Sequence, residues 1–216
     1  MTNPILHTDP TDYSLIESFS TGINMNNRVP TYSSVSSTEV WECSQAGVNE
    51  PYLVNAAGYM TVGSASTANM MCSIEAAAST KHYYFEFLLA SNDILKFAFR
   101  KQVASLDDND GSSNSLFLYI KNNSSTNLQT RIISKVAGFT AGDPFAEHDA
   151  SVDEALKQGV LIHDKGTSID VTINGITVNH LVSTTAFTDD QQANFTHIGF
   201  NLLSTGTVQA SNVRTW

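Results

Sequence analysis

The sequence of 216 residues is poor in basic side chains. Eleven lysines and arginines stand against 21 aspartates and glutamates, and the net charge of −10 disfavours a nucleic-acid partner. No apolar run approaches the roughly 20 residues of a membrane-spanning helix, so no membrane partner is expected. Residues 1–13 have no basic stretch followed by an apolar one, which predicts a protein made and used without secretory export.

Cysteine is also scarce. Cys43 and Cys72 are too far apart for a CxxC redox pair and have no cysteine or histidine neighbours at zinc-finger spacing. The sequence therefore predicts two buried free thiols, and a disulfide between them is the alternative.

The residues that are present favour strands. A hydrophobic content of 41% with 15% charged residues excludes a disordered chain. Serine, threonine and asparagine together supply 65 of the 216 residues, and they prefer turns and strand faces to helix interiors. Roughly eleven or twelve strands with frequent turn signals predict an all-β, single-domain sandwich or barrel at residues 13–216. Residues 1–12, with Pro4 and Pro10, are predicted to form an extended N-terminal arm.

Three segments give the clearest local predictions. Residues 82–89 read as a strand with apolar or aromatic residues on both faces, and residues 94–100 alternate strictly. Within residues 168–181, Asn174-Gly175 predicts a two-residue hairpin turn that pairs Ile173 with Ile176. One short helix is expected at residues 151–158, with Ser151 and Glu154 as a capping box and Gly159 as its stop.

The C-terminal third resembles the concanavalin A-like lectin/glucanase jelly roll, including laminin-G-like modules. The resemblance is carried by SIDVTINGITV at 168–178, THIGF at 196–200 and ASNVRTW at 210–216, in that order. It implies an antiparallel β-sandwich of the jelly-roll type. It does not fix a function, because this fold serves lectins, glycosidases, lyases and scaffolds.

The glycosidases of the family that this sequence resembles use clustered carboxylates. The laminarinase-like pattern Glu-x-Asp-x-x-Glu is absent, and Glu86 is alone in its strand. A partner from another strand, such as Asp170, is left open, and the alternative is a carboxylate satisfied by neighbouring donors. The lyase motifs are missing too, although His180 and His197 sit at strand positions where they could face each other. No catalytic residue is assigned, and the prediction is that the protein is not an enzyme.

An acidic loop is the candidate metal site. Asp107, Asp108 and Asp110 supply carboxylates in a short segment, the arrangement that calcium prefers, although an EF-hand is excluded by Leu106 at its first ligand position. The resemblance implies calcium in such loops, and an ordinary solvated turn is the alternative.

Aromatic residues in the N-terminal half are the candidate ligand-binding residues. Tyr32, Trp41, Tyr52 and Tyr59 lie among amides and hydroxyls, as expected of a sugar site. Packing in the core or at sheet edges is the alternative, and it is favoured.

These observations predict a non-catalytic surface or structural module. The favoured interpretation is a virion decoration or adhesion protein of the phage type that binds host glycans. The arm at residues 1–12 would dock on a capsid or tail protein, and homo-oligomerisation through sheet edges is left open. The alternatives are a divergent glycoside hydrolase or polysaccharide lyase of the same fold, and a stand-alone carbohydrate-binding module.

Overall fold

The computed structural model of the chain is built almost entirely from strands. It describes residues 9–19, 25–36, 38–43, 52–62, 72–77, 79–101, 115–124, 127–136, 139–142, 146–148, 157–182, 196–202 and 207–216. These residues contain one 3-10 turn, Pro10–Asp12, and 17 strands. Among them, no helix is long and apolar enough to cross a membrane.

The strands are named here in chain order. They are β1 (Leu15–Glu17), β2 (Tyr32–Ser33), β3 (Glu42–Cys43), β4 (Tyr52–Val54), β5 (Met60–Val62), β6 (Cys72–Glu75), β7 (His82–Leu89), β8 (Ile94–Lys101), β9 (Ser115–Ser124), β10 (Asn127–Val136), β11 (Phe139–Gly142), β12 (Ala146–His148), β13 (Gln158–Asp164), β14 (Ser168–Ile173), β15 (Ile176–Leu181), β16 (His197–Leu202) and β17 (Val208–Thr215).

The strands form two sheets. The first sheet has the order β15-β14-β13-β7-β17-β1-β2, and β5, which also pairs with β4, joins it at β17. The second sheet has the order β11-β10-β9-β8-β16-β6-β3, with β12 paired to β10. Every described pairing is antiparallel, so the predicted antiparallel sandwich is confirmed.

Phenylalanine rings fill the space between the two sheets. Phe85 on β7 lies 4.8 Å from Phe97 on β8 and 5.1 Å from Phe200 on β16, measured between ring centroids. All three side chains are fully buried. Because β7 belongs to the first sheet and the other two strands to the second, these contacts hold the layers together.

The predicted hairpin is confirmed residue by residue. Ile173 pairs with Ile176 and Val171 with Val178, as the two-residue turn requires. Asn174 and Gly175 have φ angles of 52° and 82°, the left-handed values of a type I′ turn.

The segment predicted to end a helix belongs to a strand. Residues 151–156, most of the predicted helix, lie outside the described part of the chain, but Gln158 and Gly159 begin β13. Val160 and Ile162 alternate with half-buried residues, a strand period that outweighs the capping signal.

Only the end of the predicted N-terminal arm is described. Asp9 caps the 3-10 turn, because its carboxylate accepts a hydrogen bond of 2.9 Å from the backbone N–H of Thr11. Residues 1–8 lie outside the described residues, so the boundary at residue 12 stays a prediction.

A buried ion pair joins the two sheets. The guanidinium of Arg100, on β8, binds both carboxylate oxygens of Asp164, at the end of β13. It also donates to the carbonyl of Gly166 at 2.8 Å, and the side chains of the pair are only 4% and 1% exposed. A buried charge that loses its partner is costly, so each partner depends on the other.

We expect Asp164→Ala to lower the free energy of unfolding by about 3–5 kcal/mol, because it leaves the Arg100 guanidinium buried and unpaired. Asp170→Ala is the matched control, since this carboxylate pairs with Lys165 on the exposed side of the same sheet. It should cost less than about 1 kcal/mol. Urea unfolding of both variants measures the difference, and equal losses would contradict this assignment.

A second buried polar group links the edges of the two sheets. The hydroxyl oxygen of Thr130, on β10, lies 2.7 Å from Nε2 of His148 and 2.9 Å from Nε2 of His180. His148 is on β12 in the second sheet, whereas His180 is on β15 in the first. The predicted neighbour of His180 was His197, but His197 lies on β16 between β6 and β8. The histidine that faces His180 is therefore His148.

Burial lowers the pKa of His148 to about 4, and the nearby His180 acts in the same direction. The folded chain therefore binds fewer protons than the unfolded chain between about pH 4 and pH 6.5. The stabilisation that comes from unprotonated His148 is complete above about pH 6.5, and it is lost as the pH falls towards the folded-state pKa of this histidine. We expect a loss of about 2–3 kcal/mol across this window, measured by urea unfolding. His148→Gln, which cannot titrate, should flatten this dependence, and an unchanged slope would contradict the assignment.

Candidate functional site

An open cleft of about 540 Å³ lies on the outer face of the first sheet, where β7 and β17 run side by side. Its walls come from the end of β1 and from the turn between β4 and β5. The lining residues are Ser18, Phe19, Ala56, Ala57, Gly58, Glu86, Lys157, Ser211 and Asn212.

Glu86 is brought to the floor of the cleft by the alternation of β7. Phe85 and Phe87 are fully buried and point into the sandwich, so Glu86 between them points out of it. Its partner in the register is Ser211 on β17.

A bulge in β17 adds a second polar side chain to the floor. The register shifts between Ser211 and Arg214, and Asn212 takes a φ of 51° there. Asparagine tolerates the left-handed region better than most residues, which suits it to a bulge. Both Ser211 and Asn212 therefore reach Glu86. In the sequence these residues stand out only as part of the segment 210–216, and no local signal there predicts this role.

The turn between β4 and β5 is built by one asparagine side chain. Oδ1 of Asn55 accepts hydrogen bonds from the backbone N–H of Ala57 at 3.0 Å and of Tyr59 at 3.1 Å. Gly58 has a φ of 77°, and a Cβ there would contact the carbonyl oxygen of Phe19 at 3.4 Å. This tight turn therefore brings one wall of the cleft into contact with the segment that follows β1.

Four donors surround the Glu86 carboxylate. Oε1 accepts from the Tyr84 hydroxyl at 3.3 Å and from Nδ2 of Asn212 at 3.1 Å. Oε2 accepts from the Ser211 hydroxyl and lies 3.4 Å from Nζ of Lys157. The side chain is nevertheless 22% exposed, so a ligand can reach it.

Lys157 supplies a positive charge at the rim. Its ammonium lies 4.5 Å from the ring centroid of Tyr59 and is 48% exposed as a side chain. Burial acts to lower its pKa, but contacts with Tyr59 and Glu86 outweigh that and raise it above the ordinary lysine value. The rim is therefore cationic beside the anionic floor.

Tyr84 lies across the neighbouring strand beside the floor. Its ring covers Gly159, where a Cβ would approach the phenol oxygen to 3.0 Å. Gly159, predicted as a helix stop, therefore makes room for a ring. Burial raises the pKa of Tyr84 to about 12, with Glu86 adding to the shift and Arg214 opposing it.

A row of stacked rings lies on the same outer face, further along β7. His82 stacks on His163 at 4.3 Å and on Trp216 at 5.3 Å, measured between ring centroids. Tyr13 meets Trp216 edge to face. His82 lies between His163 and Trp216, so both faces of its ring are covered.

Two of the four predicted ligand-binding aromatics are part of the core. Trp41 is fully buried, and its indole N–H donates to Glu17 at 3.1 Å. Tyr52 is 1% exposed, and its hydroxyl donates to the carbonyl of Phe200. Both side chains pack in the core, because a two-sheet sandwich needs large apolar side chains to fill the space between its layers.

The other two predicted aromatics lie elsewhere. Tyr59 is 8% exposed and contacts Lys157 at the rim of the cleft. Tyr32 is half-buried on β2, at the edge of the first sheet.

The predicted calcium residues Asp107, Asp108 and Asp110 lie outside the described residues. Within the described ranges, no group of three cysteine, histidine, aspartate or glutamate residues is placed to hold a metal ion.

Glu86 and Asp170, which the sequence left open as a catalytic pair, are not neighbours in the structure. Asp170 is opposite His163, which is opposite His82, so it lies two strands and four positions away from Glu86. Strand geometry puts this separation at roughly 16 Å, beyond the roughly 5–9.5 Å of a glycosidase pair.

No protein-family model and no curated protein sequence matches the chain. Among solved structures, it is similar to the carbohydrate-binding module CBM66 of Bacillus subtilis, with 14% identity over 80% of this chain and 91% of that one, and a TM-score of 0.48. Sheep galectin-11 in complex with glycerol is 9% identical over 70% of this chain and 100% of that one, with a TM-score of 0.46. A Bacillus licheniformis β-glucanase is 12% identical over 94% of this chain and 92% of that one, with a TM-score of 0.49.

These identities and TM-scores are too low to carry a residue role or a function to this chain. Its own strand pairing shows an antiparallel β-sandwich with a polar cleft on the outer face of the first sheet.

We expect Glu86→Gln to lower the pKa of Tyr84 below about 12, because the negative charge that disfavours the phenolate is removed. Tyr83 is the internal control. Burial and Asp164 raise its pKa, and it points into the sandwich, away from Glu86. A pH titration of ¹³C-labelled tyrosine by NMR measures both. An unchanged Tyr84 midpoint, or an equal change at Tyr83, would contradict the described contact.

Proposed function

We propose that the chain is a non-catalytic glycan-binding module and that the Glu86 cleft is its glycan site. The observation that carries this proposal is the Glu86 carboxylate on the floor of an open cleft, with Lys157 and Asn212 beside it. A sugar ring presents hydroxyls that donate and accept hydrogen bonds. The carboxylate accepts from such hydroxyls, while the ammonium and the amide donate to them.

The surroundings of Glu86 favour binding over hydrolysis. Contacts with Tyr84, Ser211, Asn212 and Lys157 hold the carboxylate in one orientation, while its 22% exposed surface stays open to a ligand hydroxyl. Hydrolysis of a glycosidic bond needs a second carboxylate near the first, and Asp170 is too distant. Glu86 therefore serves as a fixed acceptor in this proposal.

In this proposal the module works at a surface, as an adhesion or decoration protein of a phage-type virion. The support is the acidic, serine-, threonine- and asparagine-rich composition together with the N-terminal arm that the sequence predicts. Residues 1–12 would dock on a capsid or tail protein, leaving the cleft to contact host glycans. Deleting residues 1–12 should then abolish attachment to the particle without changing glycan affinity. A stand-alone carbohydrate-binding module would need no such attachment.

We expect the purified chain to bind a subset of glycans on an array, and Glu86→Gln to weaken that binding about tenfold or more by removing a charged acceptor. Asp170→Asn is the matched control, because this carboxylate lies on the same outer face but outside the cleft. No binding to any glycan, or equal weakening by both variants, would contradict the proposal.

The same array, run with calcium and with a chelator, tests the acidic loop. Binding that requires calcium would support a calcium site at Asp107, Asp108 and Asp110. A panel of polysaccharides tests for hydrolysis. If the chain releases reducing sugar and Glu86→Gln abolishes that release, the protein is a glycoside hydrolase and the non-catalytic proposal is wrong.

A further inference from the structure

Cys43 and Cys72 are opposite each other on neighbouring strands. They are register partners in the antiparallel ladder of β3 and β6. Both are free thiols, both are buried in the same core, and their side chains are within hydrogen-bonding contact. Opposed Cβ atoms in such a ladder lie about 4.5–5.5 Å apart, and a disulfide needs about 3.5–4.5 Å. A small adjustment at this position would therefore join the two sulfur atoms.

The hydrogen bonding of the backbone agrees with a close pair. The backbone N–H of Cys43 donates to Oδ1 of Asn26 at 3.3 Å instead of to β6. Positions of an antiparallel ladder that do not exchange hydrogen bonds have the closest Cα atoms, about 4.5 Å apart. This spacing lies within the range that disulfides span.

Cys43 and Cys72 are protected from oxidation while β3 and β6 stay paired. Burial raises the pKa of the Cys72 thiol, and Cys43 and Glu17 add to the shift, so the thiol stays protonated. Thiolates, rather than thiols, carry out disulfide exchange. However, β3 has only two residues and is the last strand of its sheet. Short edge strands open locally at low free energy, which would expose both thiols to an oxidant.

We propose that Cys43 and Cys72 form an intramolecular disulfide that fastens β3 to β6 when the chain meets a disulfide oxidant such as glutathione disulfide. The thiolate of Cys43 attacks one sulfur of glutathione disulfide, forms a mixed disulfide and releases one glutathione thiolate. The thiolate of Cys72 then attacks the Cys43 sulfur and releases the second. Two electrons pass from the cysteines to the glutathione sulfurs, which take up the two cysteine protons.

The crosslink would act on the wall of the cleft. Trp41 lies two residues before Cys43 and contacts Phe19 with 6.0 Å between ring centroids. Phe19 lines the cleft, and its backbone N–H donates to Glu17, which also accepts from the Trp41 indole. Fastening β3 therefore holds Trp41 in place, and with it the segment that forms the wall. The disulfide itself does not depend on the proposed glycan function.

The test is oxidation of the full chain with glutathione disulfide, followed by alkylation of remaining thiols in denaturant and intact-mass analysis. The expected product is a monomer two hydrogens lighter than the reduced chain, with no alkylated cysteine. Its Tm should rise by about 5–10 °C, the size expected for closing a loop of this length. Reduction should restore the original Tm.

Cys43→Ala and Cys72→Ala are the control variants, and neither should show the oxidant-dependent rise in Tm. Oxidation can also be carried out during refolding of the unmodified chain, so the test does not depend on whether the variants fold. The proposal is overturned if both cysteines are still free thiols after refolding in oxidant and therefore both become alkylated. Disulfide-linked dimers as the main product, or a crosslinked monomer with a lower Tm, would overturn it equally.

Discussion

Burial of phenylalanine rings between the two sheets is the interaction on which the rest of the structure depends. Phe85 and Phe87 of β7 must point inward to meet the rings of β8 and β16. Because side chains alternate along a strand, this requirement also fixes Glu86 on the outer face. A slip of one residue would bury Glu86 and expose the phenylalanines. The packing of the core therefore positions the floor of the cleft.

Polar side chains complete the interior where apolar packing alone would not fix the alignment of the sheets. Asp164 receives the guanidinium of Arg100 from the opposite sheet, and Thr130 stands between two histidines. Such groups are costly unless their partners are in place, so each fits one relative position of the strands that carry it. The sandwich thus combines an apolar centre with buried polar contacts that require one alignment of the two sheets.

The cleft follows from an irregularity in an otherwise regular sheet. The bulge at Asn212 places two consecutive β17 residues within reach of one carboxylate, which a regular strand would not do. Lys157 completes the group from the residue before β13. The result is an anionic floor with amide, hydroxyl and ammonium donors around it, which is the chemistry expected for recognising hydroxyl groups.

Period-two alternation and the Asn174-Gly175 turn are local signals, and they predicted most of the longer strands, although the start of β13 was taken for the end of a helix. They predicted the bounds of β7 and of the β14–β15 hairpin to the residue. The folded structure alone shows that Gly159 gives room to the ring of Tyr84. It alone also shows that Glu86 contacts Asn212, which lies 126 positions away along the chain. Contacts over such distances depend on which strands become neighbours, and no local pattern in a single sequence records that choice.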